Sequence, residues 1–327
     1  MKLISCYKQL SAEQRALGGV GQGGGLYWQD AVGIALQQAI AGPENTFLCP
    51  RSHGRDSYDR TDYDVPMLSN PDAHNGVVSA YELAYCHLFE VPKHRPAKIV
   101  YAIISDYPHL EDILEDFLMR AKPNFLIAFQ YPKPNLDEQC ERHNCRVFRL
   151  PWFNVENFVV DHTHTKSIAA MCTGTMGGTY PQRDAIFQFL NRFKINTSRE
   201  DIDLSGVGGS DGKTVFNLCD EEYLFSLRHT RYFFSGGIYD YQIPPKYFEI
   251  CNHGATLVSP DMPLMKDAGF IDGETYIKLE TVDQIPGIID SDAWKKIGPA
   301  GQKMVHERHS ITRRAKEIRE IYNGFTE

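Results

Sequence analysis

From Lys98 onward the sequence alternates in a way that few folds accommodate. KIVYAIIS is an apolar run of strand length, LEDILEDFLMRA carries a helical apolar stripe, NFLIAFQ is a second apolar run, LDEQCERHN a second helical stretch and CRVFRLPW a third strand. Strand and helix alternating at this length predict a parallel sheet with helices on both faces, a Rossmann-like α/β domain. Functional groups in such a domain belong in the loops at the C-terminal ends of the strands. The first of these loops reads SDYPH and places Asp106 and His109 at the crevice edge of the sheet. Asp106 there is suited to orient a hydroxyl or act as a base, and equally to cap the helix that follows.

The chain has 327 residues, more than one core usually supports, so a second domain is expected. Upstream of the alternation, KLISCY reads as a first strand, followed by the glycine-rich LGGVGQGGGLYWQD. Gly19, Gly21 and Gly24 spell G-x-G-x-x-G, the dinucleotide fingerprint, but a polar segment separates them from the strand. The next strand, 46–49, also lacks the closing acidic residue that would hold a ribose. The glycines, Gly23 and Gly24 among them, are therefore read as a turn where backbone approaches a ligand closely, ahead of a helix over 27–40. Residues 50–75 are polar, with His53, Asp56, Asp59, Asp62 and Asp64, and lack the glycine and closing glutamate of a calcium loop. They read as a solvated loop, and 76–89 as a helix.

Composition removes several classes. A formal net charge of −8 argues against broad nucleic-acid binding, which depends on neutralising phosphates. No apolar run is long enough to span a bilayer, and MKLISCYKQL has no long apolar core of a signal peptide. There are eight cysteines but no C-x-x-C. Cys140, His143 and Cys145 cluster without a fourth ligand, and His162 and His164 alternate in a linker, VVDHTHTK, without a third. The expectation is a cytoplasmic protein with reduced thiols, no metal and no membrane span.

In the second half, SIAAMCTGTMGGTYPQRDAIFQFLNRF reads as a buried strand, a glycine-rich turn and a helix, and TVFNLCDEEYLFSLRHTRYFF as strand, helix and strand. Arg228 and Arg231 of that segment could reach an anion, although arginines at a helix end more often brace structure. Then comes IPPKYFEICNHGATLVSP. Pro244 and Pro245 open a short amphipathic helix, Gly254 stops it, and a small apolar strand follows at once. Such a helix start, with Lys246 beside it, suits a phosphate, and Glu249 one turn on suits the hydroxyls of a ribose or sugar.

The pattern K-x-x-E-x-x-x-x-G followed by an apolar strand resembles the donor-binding motif of GT-B glycosyltransferases, specifically the group 1 and spore-maturation-protein-like families. Tyr180-Pro181-x-Arg183 after Gly174 resembles the opening of the GT-B C-terminal domain, and the chain ending, with His309 and Arg314, resembles that of the spore-maturation-like group. The resemblance implies two Rossmann-like domains facing a central cleft: an acceptor domain over 1–163, a donor domain over 164–305, and a helix over 306–327 packing back on the first. It implies no bound cofactor and a nucleoside diphosphate sugar, UDP- or GDP-linked, as donor. Gly23, Gly24, Gly174, Arg183, Lys246 and Tyr247 would attend its diphosphate, Glu249 its ribose, and Val215 and Phe216 its nucleobase. The implied activity is metal-independent, retaining hexosyl or pentosyl transfer to a polysaccharide, protein, small molecule or modified nucleic-acid base. Were transfer inverting, Asp106 or His109 would be the base. One departure stands out: Tyr241 occupies the place of the first glutamate of the group 1 pair, which attends the transferred sugar. A nucleotide-sugar epimerase of the same fold and a non-catalytic relative are the alternatives.

Overall fold

The computed structural model describes residues 3–8, 21–22, 26–27, 36, 39–40, 42, 46–51, 77–83, 98–104, 115, 118–119, 122–129, 134–153, 166–173, 180–192, 220–237 and 242–326. The chain divides into two compact units, one formed by Met1–Leu150 with Ile311–Glu327 and the other by Pro151–Ser310.

The first unit is built on a six-stranded sheet. Its strands are β1 (Leu3–Lys8), β4 (Thr46–Arg51), β5 (Val77–Leu83), β6 (Lys98–Ile104), β7 (Phe125–Phe129) and β8 (Arg146–Leu150). Their order is β4-β1-β5-β6-β7-β8, with every pairing parallel. The short strands β2 (Gly21–Gln22) and β3 (Leu26–Tyr27) pair separately and antiparallel. Strand order reverses between β1 and β5, the topology that opens a crevice at the C-terminal strand ends. All five residues of β7 are buried, as an interior parallel strand requires. Pro50 has no N–H to donate and lies on β4, an edge strand of this sheet, opposite Tyr7.

Within the segment expected to be helical over 76–89, residues 77–83 are instead the interior strand β5, which pairs Leu3 with Ala80 on one side and Val77 with Lys98 on the other. Ala, Glu and Leu in VVSAYEL favour a helix locally, but the place between β1 and β6 decides the conformation. Helix α1 (Pro134–Arg142) connects β7 to β8, and α7 (Ile311–Thr326) belongs to this unit. From α7, Arg319 Nη1 donates to the carbonyls of Ala39 at 2.6 Å and Ile40 at 3.3 Å, backbone acceptors that a cation suits at a helix C-terminus.

The second unit carries a four-stranded parallel sheet in the order β12-β11-β10-β9. Its strands are β9 (Ile168–Cys172), β10 (Thr230–Phe234), β11 (Thr256–Ser259) and β12 (Ile277–Lys278). Helix α2 (Pro181–Arg192) follows β9, α3 (Asp220–His229) precedes β10, and α4 (Pro245–Asn252) joins β10 to β11. Helices α5 (Ile285–Asp290) and α6 (Trp294–Arg308) complete the unit. Strand periodicity sorts the aromatics of β10. Tyr232 and Phe234 join Ala170, Ile186, Leu190 and Ile285 in one core cluster.

Helix α6 lies very close to the turn after α4. A Cβ on Gly298 would come within 2.8 Å of the Gly254 carbonyl oxygen, and one on Gly301 within 2.6 Å of the Thr275 carbonyl oxygen. Among the described residues no helix is long and apolar enough to cross a membrane.

Three turns share one closing device. At the end of α1, Asn144 is left-handed (φ 53°) and donates to the Glu141 carbonyl at 3.0 Å, while Cys145 N donates to the Cys140 carbonyl at 2.9 Å. After α4, Gly254 (φ 67°) donates to Cys251 and Ala255 to Ile250. Gly269 (φ 87°) donates to Lys266 and Phe270 to Met265 in the same manner. Each is a Schellman turn, in which the residues at the two ends of the outer hydrogen bond bring their side chains together.

Candidate functional site

Within the second unit the sheet delivers polar groups to one edge. β9 ends at Cys172 and is followed by Thr173, and β10 ends at Phe234 and is followed by Ser235, Gly236 and Gly237. Two helices start here, and both have proline at their first position, where a missing N–H costs nothing: α2 at Pro181 and α4 at Pro245. Their first turns carry Arg183 and Lys246.

Arg183 is almost wholly buried, 3% exposed. Its Nη2 donates to the Gly236 carbonyl at 3.3 Å and to Ser235 Oγ at 3.5 Å, and its guanidinium lies 4.0 Å over the Tyr180 ring. Gly236 is required here by close approach: a Cβ would fall 2.7 Å from the backbone nitrogen of Arg183. Lys246 Nζ donates to Thr173 Oγ1 at 3.4 Å and stands 5.8 Å from the centre of the Phe233 ring. Burial, and then the Arg183 charge, pull the Lys246 amine down to about 8, against a pull in the other direction from Glu249. Glu249 lies one turn along α4 and is half-buried, the i,i+3 relation that puts two side chains on one helix face. Cys172 sits beneath the pair with its Sγ 3.9 Å from the Arg183 carbonyl, and burial pushes its thiol up to about 12. It is packing, not a nucleophile.

Of the residues singled out by sequence, Arg183, Lys246 and Glu249 are brought together. Tyr247 is placed elsewhere. Its side chain is fully buried, its hydroxyl bonds Ser259 Oγ, its ring meets Phe270 edge-on, and its N–H donates to the Pro244 carbonyl at 3.1 Å. Gly23, Gly24, Asp106, His109, Gly174, Val215 and Phe216 lie outside the described residues, as do Tyr241, His162 and His164. Thr173, Ser235 and Gly236 were not singled out. The signal for them is a small polar or glycine residue directly after an apolar strand, TGT after IAAMC and SGG after TRYFF.

Arg228 and Arg231 lie at the opposite end of β10. Arg231 Nε donates to the Lys166 carbonyl at 2.9 Å and its guanidinium stacks on Trp294. Lys166, pulled down to about 8 by burial, donates to the His253 carbonyl at 3.2 Å. His253 is 4% exposed, with Nδ1 2.8 Å from the Glu249 carbonyl oxygen, and burial among Arg228, Lys166 and His306 pulls its imidazole down to about 4. His309 is likewise structural, with Nε2 2.7 Å from the Ala268 carbonyl oxygen and its ring on Phe248. Arg314, 1% exposed, pairs with Glu317 along α7. His143, which lies between Cys140 and Cys145 in the sequence, has its Nε2 2.6 Å from Glu115 Oε1. Among the described residues no group of three or more His, Cys, Asp or Glu side chains is placed to hold a metal ion.

The chemical character of the edge is cationic and enclosed. A buried guanidinium and a half-buried amine from different helices lie within electrostatic reach of each other, the first on Ser235 and Gly236 and the second on Thr173. An anion is the ligand that such an arrangement stabilises most.

No family model matches the sequence, and no curated protein matches it. Solved structures do match in fold. HepE of Anabaena, in complex with UDP and glucose, superposes with a TM-score of 0.58 at 8% identity, covering 99% of this chain and 100% of its own. A sucrose-phosphate synthase from Thermosynechococcus elongatus gives 0.54 at 11% identity, covering 100% and 99%. A glycosyltransferase from Rickettsia africae gives 0.55 at 10% identity, covering 100% and 98%. The fold of this chain is thus the α/β GT-B fold.

Proposed function

We propose that this chain is a glycosyltransferase that moves a sugar from a nucleoside diphosphate sugar, UDP- or GDP-linked, to an acceptor hydroxyl. The observation that carries the reading is the Arg183–Lys246 pair, a buried and a half-buried cation whose mutual repulsion a bound diphosphate would relieve. Support comes from the fold match to HepE, whose structures hold UDP with glucose and UDP-glucose.

In this reading the departing diphosphate accumulates charge as the glycosidic bond breaks, and Arg183 and Lys246 stabilise it from a preorganised position. The protein's own cations supply the charge that a divalent ion would otherwise bring, which makes the transfer metal-independent. Glu249 accepts hydrogen bonds from the ribose hydroxyls, while Tyr247 holds α4 in place through Ser259. Gly23, Gly24 and Gly174 offer backbone to the phosphates, and Val215 and Phe216 flank the nucleobase. In a retaining transfer the diphosphate itself takes the acceptor's proton. In an inverting one Asp106 or His109, after β6, takes it. The donor then belongs to 164–305 and the acceptor to 1–163, with the closing segment 306–327, which carries α7, returning to the latter.

Titration calorimetry with UDP, UDP-glucose, GDP and GDP-mannose tests the reading. One nucleotide class should bind, and Lys246→Ala and Glu249→Ala should each weaken it by tenfold or more, as loss of a hydrogen bond to a charged group does at about 1.5–3 kcal/mol. Binding that survives both substitutions unchanged, or no binding of any nucleotide, overturns it.

A further inference from the structure

We infer that Cys140 and Cys145 form an intrachain disulfide site, joined when a low-molecular-weight disulfide such as oxidised glutathione reaches the turn that closes α1. The inference is independent of the sugar-transfer reading and rests on the geometry of that turn.

The 2.9 Å hydrogen bond from Cys145 N to the Cys140 carbonyl limits the two Cα atoms to about 7.1 Å apart even if every bond in the path were collinear. A disulfide spans about 4.4–6.8 Å between Cα atoms, and the bends of the real path, at the carbonyl carbon and at the amide nitrogen, bring the two inside that range. The side chains also face each other. A Schellman turn packs the two residues at the ends of its outer hydrogen bond together, and the other two examples among the described residues use apolar pairs there, Ile250 with Ala255 and Met265 with Phe270. In the α1 turn the same contact is made by two thiols, buried at 0% and 4% exposure. The neighbouring Cys140 thiol is the largest influence on Cys145, which it and burial push upward. Both are free thiols here.

The chemistry closes without further reactants. One cysteine thiolate attacks a sulfur of oxidised glutathione, forming a mixed disulfide and releasing one glutathione thiolate. The second cysteine then attacks the protein sulfur of that mixed disulfide and releases the other. Two protein thiols are oxidised, one glutathione disulfide is reduced to two thiols, and the two protons end on glutathione. Because the folded turn keeps the thiols buried, the oxidant enters when the last turn of α1 opens locally, which sets the rate and not the product. Once formed, the bond staples the helix end to the residue just before β8.

The experiment uses the full native chain. It is incubated with oxidised glutathione, unfolded in the presence of iodoacetamide and digested with trypsin, which cuts after Arg142 and Arg146 and so separates the two cysteines. The expected product is a linked pair of peptides, one ending at Arg142 and the other being 143–146, lighter by two hydrogens than the sum of the reduced peptides. In Cys145→Ser the linked species is lost and Cys140 appears as a glutathione adduct or alkylated. Recovery of both cysteines alkylated or as separate glutathione adducts in the native chain overturns the inference. So does a link that appears only when oxidation is done in urea, where the turn is absent.

Discussion

Replacing Lys246 by methionine should move stability and ligand affinity in opposite directions. The side chain keeps its length and apolar stem but loses a charge that the fold holds at a cost. The amine is pulled from its ordinary value of 10.5 to about 8, chiefly by burial and then by Arg183. At about 1.4 kcal/mol per pH unit, the protonated form is disfavoured in the folded state by about 3 kcal/mol at neutral pH. That figure already includes the attraction of Glu249, and the 3.4 Å hydrogen bond to Thr173, which the variant loses, returns part of it, so the net gain for Lys246→Met is about 1–3 kcal/mol. The pH dependence gives the sign independently. Between about 8 and 10.5 the unfolded lysine holds its proton and the folded one does not, so wild-type stability rises with pH across that window, and below it the full penalty applies. The variant should lack this rise. Urea unfolding at pH 7 and pH 10, read beside calorimetric titration with UDP, checks both halves. Affinity should fall at least tenfold while the midpoint rises at pH 7, and the two proteins should converge at pH 10. A variant that unfolds more easily than wild type at pH 7 and still binds UDP normally would refute the reasoning.

Gly236→Ala should destabilise by about 1–3 kcal/mol, since its Cβ meets the Arg183 backbone nitrogen at 2.7 Å, and should weaken UDP binding by displacing the start of α2; urea unfolding and calorimetry read the two effects. Tyr247→Phe should cost about 1–2 kcal/mol by leaving buried Ser259 without its phenol partner, yet leave UDP affinity within twofold, which separates a residue that holds the helix from one that meets the ligand. His253 is neutral in the fold down to about 4, so between 6.5 and 4 the unfolded state binds the extra proton and stability falls as pH falls. In His253→Gln that acid slope should be shallower by up to about 3 kcal/mol across the window, measured by urea unfolding at pH 4.5 and 7.

Much of this architecture is visible in the residues. The apolar runs at Lys98, Phe125, Ile168 and Thr230 are strands because they are long enough and apolar enough to be covered on both faces, and the prolines at 181 and 245 mark helix starts. Lys246 and Glu249 are legible as a pair because they stand three positions apart on an amphipathic helix where Tyr247, Phe248, Ile250 and Cys251 are buried. That same stripe explains why Tyr247 belongs with the core. The strand β5 is not legible, because its pattern is a helix pattern and only the neighbouring strands β1 and β6 make it extended. Nor is the role of Arg183 fixed by its position. Whether an arginine at a helix start is solvated, caps the helix or lies buried against a neighbouring loop depends on Ser235 and Gly236, about fifty residues away, which no local pattern connects to it.

The two glycines on the inner side of α6 impose a rhythm on what this chain can become. Gly298 and Gly301 rest directly on carbonyl oxygens of Gly254 and Thr275, so no larger residue can replace them without lifting the helix, and with it the far end of α4. On the outer side, Lys296, Pro299, Lys303 and Glu307 face solvent and carry no such demand. Substitution across α6 would therefore be tolerated in a pattern of about one helical turn, permissive outward and closed inward. Divergent versions of this protein are free to change the surface of α6 widely while its distance from the turn beneath it stays constant.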